Sequence, residues 1–263
     1  MHDSAASAGR SDRPTIPRRD VLRFALAAPV LPALGTLAAT LDSPKAVAAD
    51  MRLIDFAERR IAAAEIKSAG YAGVVNYVSE ARPGMNFEAK PIIRQYADEL
   101  RAAGLQIVSN FQYGKPGGSA PSDFTRGFDG GAADAQTAQR LHAAAGGPGS
   151  APIFFSVDDN IDVNIWNSLA VNWFRGINSV LGVERTGIYG HCQACGWAIN
   201  DGVIGHSTSA GYRWAWQTRS WSHGDREPAA VLYQDVINTQ LGGAPVDEDE
   251  VLASDFGQWD LNR

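Results

Sequence analysis

The sequence lacks several features that mark common classes of enzyme. No G-x-G-x-x-G motif follows its first apolar segment, and no G-x-S-x-G motif occurs anywhere. The first absence disfavours a dinucleotide-binding fold, and the second disfavours a serine hydrolase of the α/β type. The acid-rich stretch VDEDE at residues 246–250 lacks the spacing of a calcium-binding loop. The function must therefore be sought in less specific patterns.

Cysteine is also scarce. The two cysteines both lie in the segment HCQACG at residues 191–196. A C-x-x-C pair beside a histidine can be a redox pair, half of a metal site or a local disulfide. No second C-x-x-C and no H-x3-H segment is present to complete a zinc site. We therefore predict a disulfide or unused thiols at Cys192 and Cys195, and neither a metal nor any other cofactor.

Positive charge is depleted outside the N-terminal region. Residues 1–48 hold six of the 23 Lys and Arg residues and four of the 29 Asp and Glu residues. The remainder carries 17 basic and 25 acidic side chains, a net charge of -8. No basic run survives in that part, so nucleic acid is not an expected partner.

The apolar stretch near the N-terminus is interrupted. Residues 24–41 are uncharged, but two prolines and a glycine fall within them, which makes a poor membrane-spanning helix. An Arg-Arg pair in PRRDVLR (17–23) precedes this stretch, and AVAA (46–49) offers a cleavage site after it. Together these features predict a Tat-type signal peptide over residues 1–48 and a mature domain over residues 49–263. The protein would be exported by the Tat machinery to the cell envelope or beyond, with membrane contact only through the signal.

The mature segment alternates between two periodicities. Short apolar and β-branched runs are separated by segments of helical spacing, several of which end at a glycine. Strands are predicted at 51–56, 73–79, 105–113, 152–158, 186–190, 212–218, 230–235 and 245–251, and helices at 57–69, 90–103, 131–145, 163–181 and 192–199. This order predicts a single α/β domain, a (β/α)8 TIM-like barrel that is irregular in its second half. An open doubly wound sheet is the alternative.

Residues at the C-terminal ends of the strands are the candidates for a site, because barrel enzymes build their active sites there. The candidate catalytic residues are three carboxylates, Asp55, Asp158 and Asp247. The candidate substrate-binding residues are Asp159, Tyr77, Gln112, Tyr113, Tyr189, Trp216, Gln217 and Gln234. Rings stack on sugar faces, amides and acids bind hydroxyls, and paired carboxylates can cleave a glycosidic bond, so this mixture suits a carbohydrate. Each residue also has a structural interpretation, either as packing or, for Asp159, as a cap of the helix that follows.

Several longer stretches resemble a known family. They are RRDVLRFA, LIDFAERRI, AGYAGVVNYVSEARPG, GLQIVSNFQYGK, LHAAAGGPGSAPIFFSVDDN, RTGIYG, WAINDG and FGQW. They are similar to the glycoside-hydrolase-like family of Tat-exported actinobacterial cell-envelope proteins, and the resemblance runs almost the whole length of the chain. It implies a TIM-like barrel related to the glycoside hydrolase family 25 muramidases, which cleave peptidoglycan.

The strand-four motif departs from the muramidase pattern. Those enzymes carry an aspartate on strand one, Asp-x-Glu on strand four and an aspartate on the last strand. Asp55 and Asp247 match the first and the last, whereas strand four reads Ser156-Val157-Asp158. One acid is thus replaced, and Asp158, one methylene shorter than glutamate, holds the position of the general acid. Two functions stay open: an exported hydrolase of a cell-envelope polysaccharide (peptidoglycan or an arabinogalactan-like glycan), or a barrel that binds envelope glycan or a protein partner without hydrolysis.

Overall fold

The computed structural model describes residues 51–261, so the predicted signal peptide lies outside the described residues. Eight strands occur in that range. They are β1 (Arg52–Asp55), β2 (Gly73–Tyr77), β3 (Gln106–Phe111), β4 (Ile153–Ser156), β5 (Thr186–Gly190), β6 (Arg213–Thr218), β7 (Ala230–Leu241) and β8 (Ala244–Val251). Each overlaps a strand predicted from the sequence, and β7 continues six residues beyond its predicted end.

Six α-helices lie among these strands. They are α1 (Ala63–Ser68), α2 (Arg94–Ala102), α3 (Gly127–Ala144), α4 (Val163–Ile165), α5 (Val171–Leu181) and α6 (Cys192–Asn200). A π-helical turn (Trp166–Ala170) joins α4 to α5, and 3-10 turns precede α3 and β5. Within residues 51–261, no helix is long and apolar enough to cross a membrane.

The strands close into a barrel in sequence order, which excludes the open-sheet alternative. Strands β1 to β7 run parallel to their neighbours, whereas β8 runs antiparallel to both β7 and β1. The fold is therefore a closed eight-stranded α/β barrel, but strands and helices do not alternate throughout it. No helix lies between β6 and β7 in the described chain, and β7 and β8 form a hairpin. The turn explains the reversal, because Gly242 and Gly243 both have positive φ, of 59° and 69°, as a two-residue hairpin turn requires.

The predicted helix over residues 57–69 begins late, at Ala63. Before that point the backbone pairs with a loop that follows β2. Glu88 N–H donates to Glu58 O at 2.9 Å, and Ala89 N–H donates to Ala57 O at 3.2 Å. These bonds hold residues 57–58 out of a helix whatever their local propensity.

Side chains alternate across the barrel wall, and this alternation positions the site. On β4, Phe155 faces outward and packs edge-on against Trp173 of α5, with ring centroids 5.8 Å apart. Phe154 faces inward against Trp216 of β6 at 6.5 Å. Because successive residues of a strand point to opposite faces, Ser156 also faces inward, at the mouth of the barrel. Apolar side chains fill the interior below the mouth, so the polar side chains collect at the rim.

Candidate active site

A cavity of about 330 Å³ opens at the rim of the barrel. All three candidate catalytic carboxylates and most of the candidate sugar-binding residues line it. These residues are Asp55, Asp158 and Asp247, together with Tyr77, Gln112, Tyr189, Trp216 and Gln234. Eight of the candidate residues chosen at predicted strand ends thus lie in the wall of one cavity.

Asp55, the last residue of β1, is the most deeply placed of the three carboxylates. Its side chain is nearly inaccessible, with 6% exposure. Tyr77 donates its hydroxyl to Oδ1 at 3.4 Å, and Gln234 donates Nε2–H to Oδ2 at 2.8 Å. Burial, followed by the nearby charge of Asp247, raises the pKa of Asp55 to about 8, although both hydrogen bonds oppose the shift. At neutral pH, Asp55 therefore holds its proton.

Asp247 lies directly across from Asp55 in the β1–β8 ladder. Asn238 N–H donates to its Oδ1 at 2.7 Å, and Gln234 Nε2 lies 3.3 Å from its Oδ2. Burial raises the pKa of Asp247, and the charge of Asp158 adds to the shift. Because one amide nitrogen contacts both acids, Asp55 Oδ2 and Asp247 Oδ2 lie no more than about 6 Å apart, the sum of its two contact distances. The two acids thus form a close pair that shares one hydrogen-bond donor.

Asp158 follows β4, on the opposite side of the barrel from β8 in the strand order. It is half-buried, and Gln112 donates Nε2–H to its Oδ2 at 2.8 Å. Two residues earlier, Ser156 exchanges a hydrogen bond with the Asn110 amide at 3.0–3.1 Å. A neutral hydroxyl–amide pair therefore lies at the inward position before Asp158.

A fourth acid, Asp249, lies beneath this rim. It follows Asp247 by two residues on β8 and faces the same side, as strand alternation predicts. Trp216 donates Nε1–H to its Oδ1 at 2.7 Å, and Oδ2 has no hydrogen-bond partner among the described residues. Complete burial, followed by the charge of Asp55, raises the pKa of Asp249 well above its usual range. The protonated form of Asp249 is thus favoured at this buried position beneath the rim.

Three predicted binding residues do not line the cavity. The carboxylate of Asp159 accepts a hydrogen bond from the neighbouring Asn160 N–H at 2.8 Å. The backbone N–H of Tyr113 donates to Asp123, and its ring packs against the core around the barrel. Gln217 is fully buried and binds the backbone at Asp225 and Glu227.

One physical cause accounts for the position of all three residues outside the cavity. Asp159, Tyr113 and Gln217 each directly follow a residue that lines the cavity, and adjacent residues of an extended chain point to opposite sides. Choosing every polar residue at the end of a strand selects both members of an adjacent pair. Because the strand is pleated, only one member of the pair can face the mouth.

The sequence assignment missed three basic residues in the cavity wall, Arg82, Lys90 and Lys115. They lie in the loops after β2 and β3, and not at the strand ends themselves. Loops that follow barrel strands also lie at the mouth, so the basic residues of these loops could have been predicted from the sequence as candidates for the cavity wall. Lys90 Nζ lies 3.7 Å from the centroid of the Tyr77 ring and donates to Gln112 O at 3.0 Å.

Both cysteines are free thiols in this structure. Cys195 is buried in the first turn of α6, with its Sγ 3.6 Å from Gly190 O. Burial raises the pKa of both thiols. Among residues 51–261, no cluster of three or more His, Cys, Asp or Glu side chains is arranged to hold a metal ion.

A closed α/β barrel with convergent carboxylates, amides and aromatic rings at its mouth is an arrangement that glycoside hydrolases use. Residues 64–251 match the Rv2525c-like, glycoside hydrolase-like domain. The chain is also 38% identical over 250 residues to Rv2525c of Mycobacterium tuberculosis H37Rv, named as a candidate peptidoglycan hydrolase; the match covers 93% of this chain and 99% of that protein. The chain belongs to the Rv2525c-like glycoside hydrolase-like family.

The solved structure of a relative agrees with this assignment. The crystal structure of Tat-secreted Rv2525c in complex with L-tartrate superposes with a TM-score of 0.73 and 40% identity, over 80% of this chain and 98% of that one. A protein of B. stearothermophilus shares the fold alone, with a TM-score of 0.53 and 15% identity over 78% of this chain and 99% of that one. The lysozyme of Streptomyces coelicolor, with a TM-score of 0.46 and 14% identity over 78% of this chain and 93% of that one, is too distant to transfer a mechanism.

Proposed function

We propose that the protein is an exported glycoside hydrolase that acts on a cell-envelope polysaccharide, either peptidoglycan or an arabinogalactan-like glycan. One observation carries the proposal: the mouth of the barrel combines a buried acid that holds its proton at neutral pH with further carboxylates around the same cavity. Glycosidic cleavage needs one acid to protonate the leaving oxygen and a second carboxylate to act as nucleophile or base. The relative named as a candidate peptidoglycan hydrolase supports the substrate class.

The electrostatics favour placing the reactive proton on the Asp55–Asp247 pair. Asp55 has a pKa of about 8, and Asp247 is the more accessible member of the pair. Asp158 accepts a hydrogen bond from Gln112 on the other side of the cavity. We therefore assign proton donation to the pair. Asp158 is then the carboxylate on the other side of the cavity, which acts as nucleophile or base. The family resemblance had instead implied that Asp158 is the general acid. A sugar held across the cavity would meet both.

The export route rests on residues 1–48, which carry the twin-arginine pair and the cleavage site. A related protein described as Tat-secreted supports this part of the proposal. Cleavage after Ala48 would separate residues 1–48 from the barrel domain.

Removal of the Asp158 charge tests the catalytic assignment. Asp158→Asn keeps the side-chain volume but removes the carboxylate, so release of reducing sugars from peptidoglycan or arabinogalactan should fall by about 10²–10⁴-fold. The matched control is Asp159→Asn, the same chemical change one residue away on a side chain outside the cavity, and it should keep wild-type release. Equal release by the two variants would remove Asp158 from the mechanism.

One observation favours the second function, a barrel that binds envelope glycan without cleaving it. The inward position before Asp158 is Ser156, whose hydroxyl is already engaged with Asn110, so β4 supplies only one acid to the mouth. Wild-type protein that binds either polymer in a sedimentation assay yet releases no sugar would establish this second function.

A further inference from the structure

The cavity has a basic side that the proposed hydrolysis does not use. Arg82, Lys90 and Lys115 line it together, and none of the ion pairs found among residues 51–261 includes any of the three. Surface cations without partners are unremarkable because water solvates them. Of these three, however, Arg82 is buried and Lys90 is half-buried.

Arg82 is the most deeply buried of the three cations. Its side chain is 5% exposed, and its Nε–H has no acceptor among the described residues. Its guanidinium carbon lies 5.5 Å from the centroid of the Phe87 ring, which orients the group without neutralising it. A buried charge normally has a partner, because desolvation disfavours an isolated ion. An unpaired guanidinium in a cavity wall therefore indicates an anion that binds there.

Lys90 lies beside it. Its ammonium group contacts the Tyr77 ring and the Gln112 carbonyl, and both contacts leave its charge unpaired. Burial, followed by the charge of Arg82, lowers the pKa of Lys90 to about 7. The negative charge of a bound anion would favour the protonated form of Lys90 and so offset this shift. The exposed Lys115 adds a third cation at the entrance.

The chemistry of the basic side favours a carboxylate. Its three cations come from the loops after two neighbouring strands, β2 and β3, and line the same cavity. The planar fork of an arginine fits the two oxygen atoms of a carboxylate, and the two lysines add positive charge beside it.

We infer that Arg82, Lys90 and Lys115 form an anion subsite that binds a carboxylate carried by the sugar substrate. The inference rests on the proposed function, since it makes the substrate an acidic saccharide held between a basic wall and the catalytic carboxylates. Two kinds of sugar carry such a group: an N-acetylmuramic acid whose lactyl carboxyl is free because no stem peptide is attached to it, or a hexuronic acid, whose C6 is oxidised to a carboxylate.

Matched pairs of sugars test the subsite and distinguish the two sources. N-acetylmuramic acid is compared with N-acetylglucosamine, and glucuronate with glucose, by NMR titration of the purified protein at low ionic strength. We expect one acid to bind at least about tenfold more tightly than its neutral partner, equivalent to about 1.4 kcal/mol, with a preference that weakens as salt is added. Equal binding within both pairs would overturn the subsite.

Substitutions in the cavity wall test which residues cause the preference for the acidic sugar. Arg82→Gln should abolish it, and Lys115→Gln should reduce it severalfold. Lys67→Gln, the same change on an exposed lysine of α1 outside the cavity, should leave it intact. Lys115 is exposed, so its variant remains informative if Arg82→Gln does not fold. A preference that survives in both cavity variants would also overturn the subsite.

The outcomes separate this inference from the proposed hydrolysis. Asp158→Asn should lose sugar release but keep the preference for the acidic sugar. Preference without release by the wild type would reject hydrolysis and retain the subsite. Release by the wild type without any preference would reject the subsite and retain hydrolysis.

Discussion

Gln234 sets the spacing of two acids through a single amide. Its Oε1 accepts hydrogen bonds from Tyr189 and Thr218, both at 2.9 Å. These donors fix the orientation of the amide, so Nε2 must face the carboxylates of Asp55 and Asp247. The residue type and strand-end position of Gln234 could be read from the sequence. Its role as a bridge could not, because it depends on β7 and β8 pairing antiparallel.

Asp55 gives the folded protein a pH dependence with a definite sign. The folded state keeps the proton up to about pH 8, whereas the unfolded chain releases it near pH 4. Stability from this group is complete below about pH 4 and is lost as the pH rises toward 8. Asp55→Asn removes the titration and keeps an acceptor for Gln234. Its free energy of unfolding relative to wild type should therefore increase by roughly 1–3 kcal/mol between pH 5 and pH 8.

Urea unfolding at the two pH values measures this change. Asp159→Asn is the control, because it removes a carboxylate that lies outside the cavity, and its difference from wild type should stay within about 0.5 kcal/mol at both pH values. A difference for Asp55→Asn that does not change with pH would show that Asp55 ionises normally in the folded protein.

At the scale of elements, strand positions were predictable and some boundaries were not. The β5 strand was predicted to the residue, because TGIYG lies between a glycine-terminated helix and the N-cap of α6. The start of α1 was wrong because backbone pairing with residues 88–89, distant in sequence, overrides local propensity. Strand alternation shows which residue of a strand-end pair faces the cavity only if the direction of one side chain on that strand is known. On β4 that side chain is Phe154, and only the structure shows that it points inward.

Gly187 of β5 tests the packing that supports the cavity floor. A Cβ at this position would lie 2.7 Å from Cδ1 of Phe154, the inward ring of the neighbouring strand. Gly187→Ala should therefore destabilise the protein by about 1–3 kcal/mol through overpacking. Gly149→Ala is the matched control, since its Cβ meets no atom within 4 Å. Thermal unfolding that fails to separate the two variants would show that Phe154 relaxes without penalty.

For the whole molecule, export is the property that the barrel itself does not determine. The Arg18-Arg19 pair is the feature that a Tat-type signal requires. Replacing both residues with lysine preserves charge and should keep the folded protein in the cytoplasm. The same double change at Arg10 and Arg13, in the same segment, should leave export unchanged. Cell fractionation and immunoblotting measure both, and equal export of the two variants would argue against the twin-arginine route.

The single closed barrel was predictable from the alternation of strands and helices, but the direction of its last strand was not. Hydrophobic alternation along β8 is the same whether the strand runs parallel or antiparallel to β1. The Gly242-Gly243 pair was the available signal of a hairpin. Its consequence for the site is that Asp247 reaches the mouth from the first half of β8 and not from its C-terminal end.

The β7–β8 hairpin also extends past the rim. Gln234 and Asp247 lie at the level of the mouth, so residues 235–246 project beyond it, and Ile237 and Asn238 form part of the cavity wall. This wall is an appendage that can change length without altering the barrel register below it. Insertions or deletions of two residues in each strand would preserve which side chains face the sugar, whereas single-residue changes would reverse them. Changes in the length of this one hairpin could thus give relatives deeper or shallower clefts, which would bind glycan chains of different length.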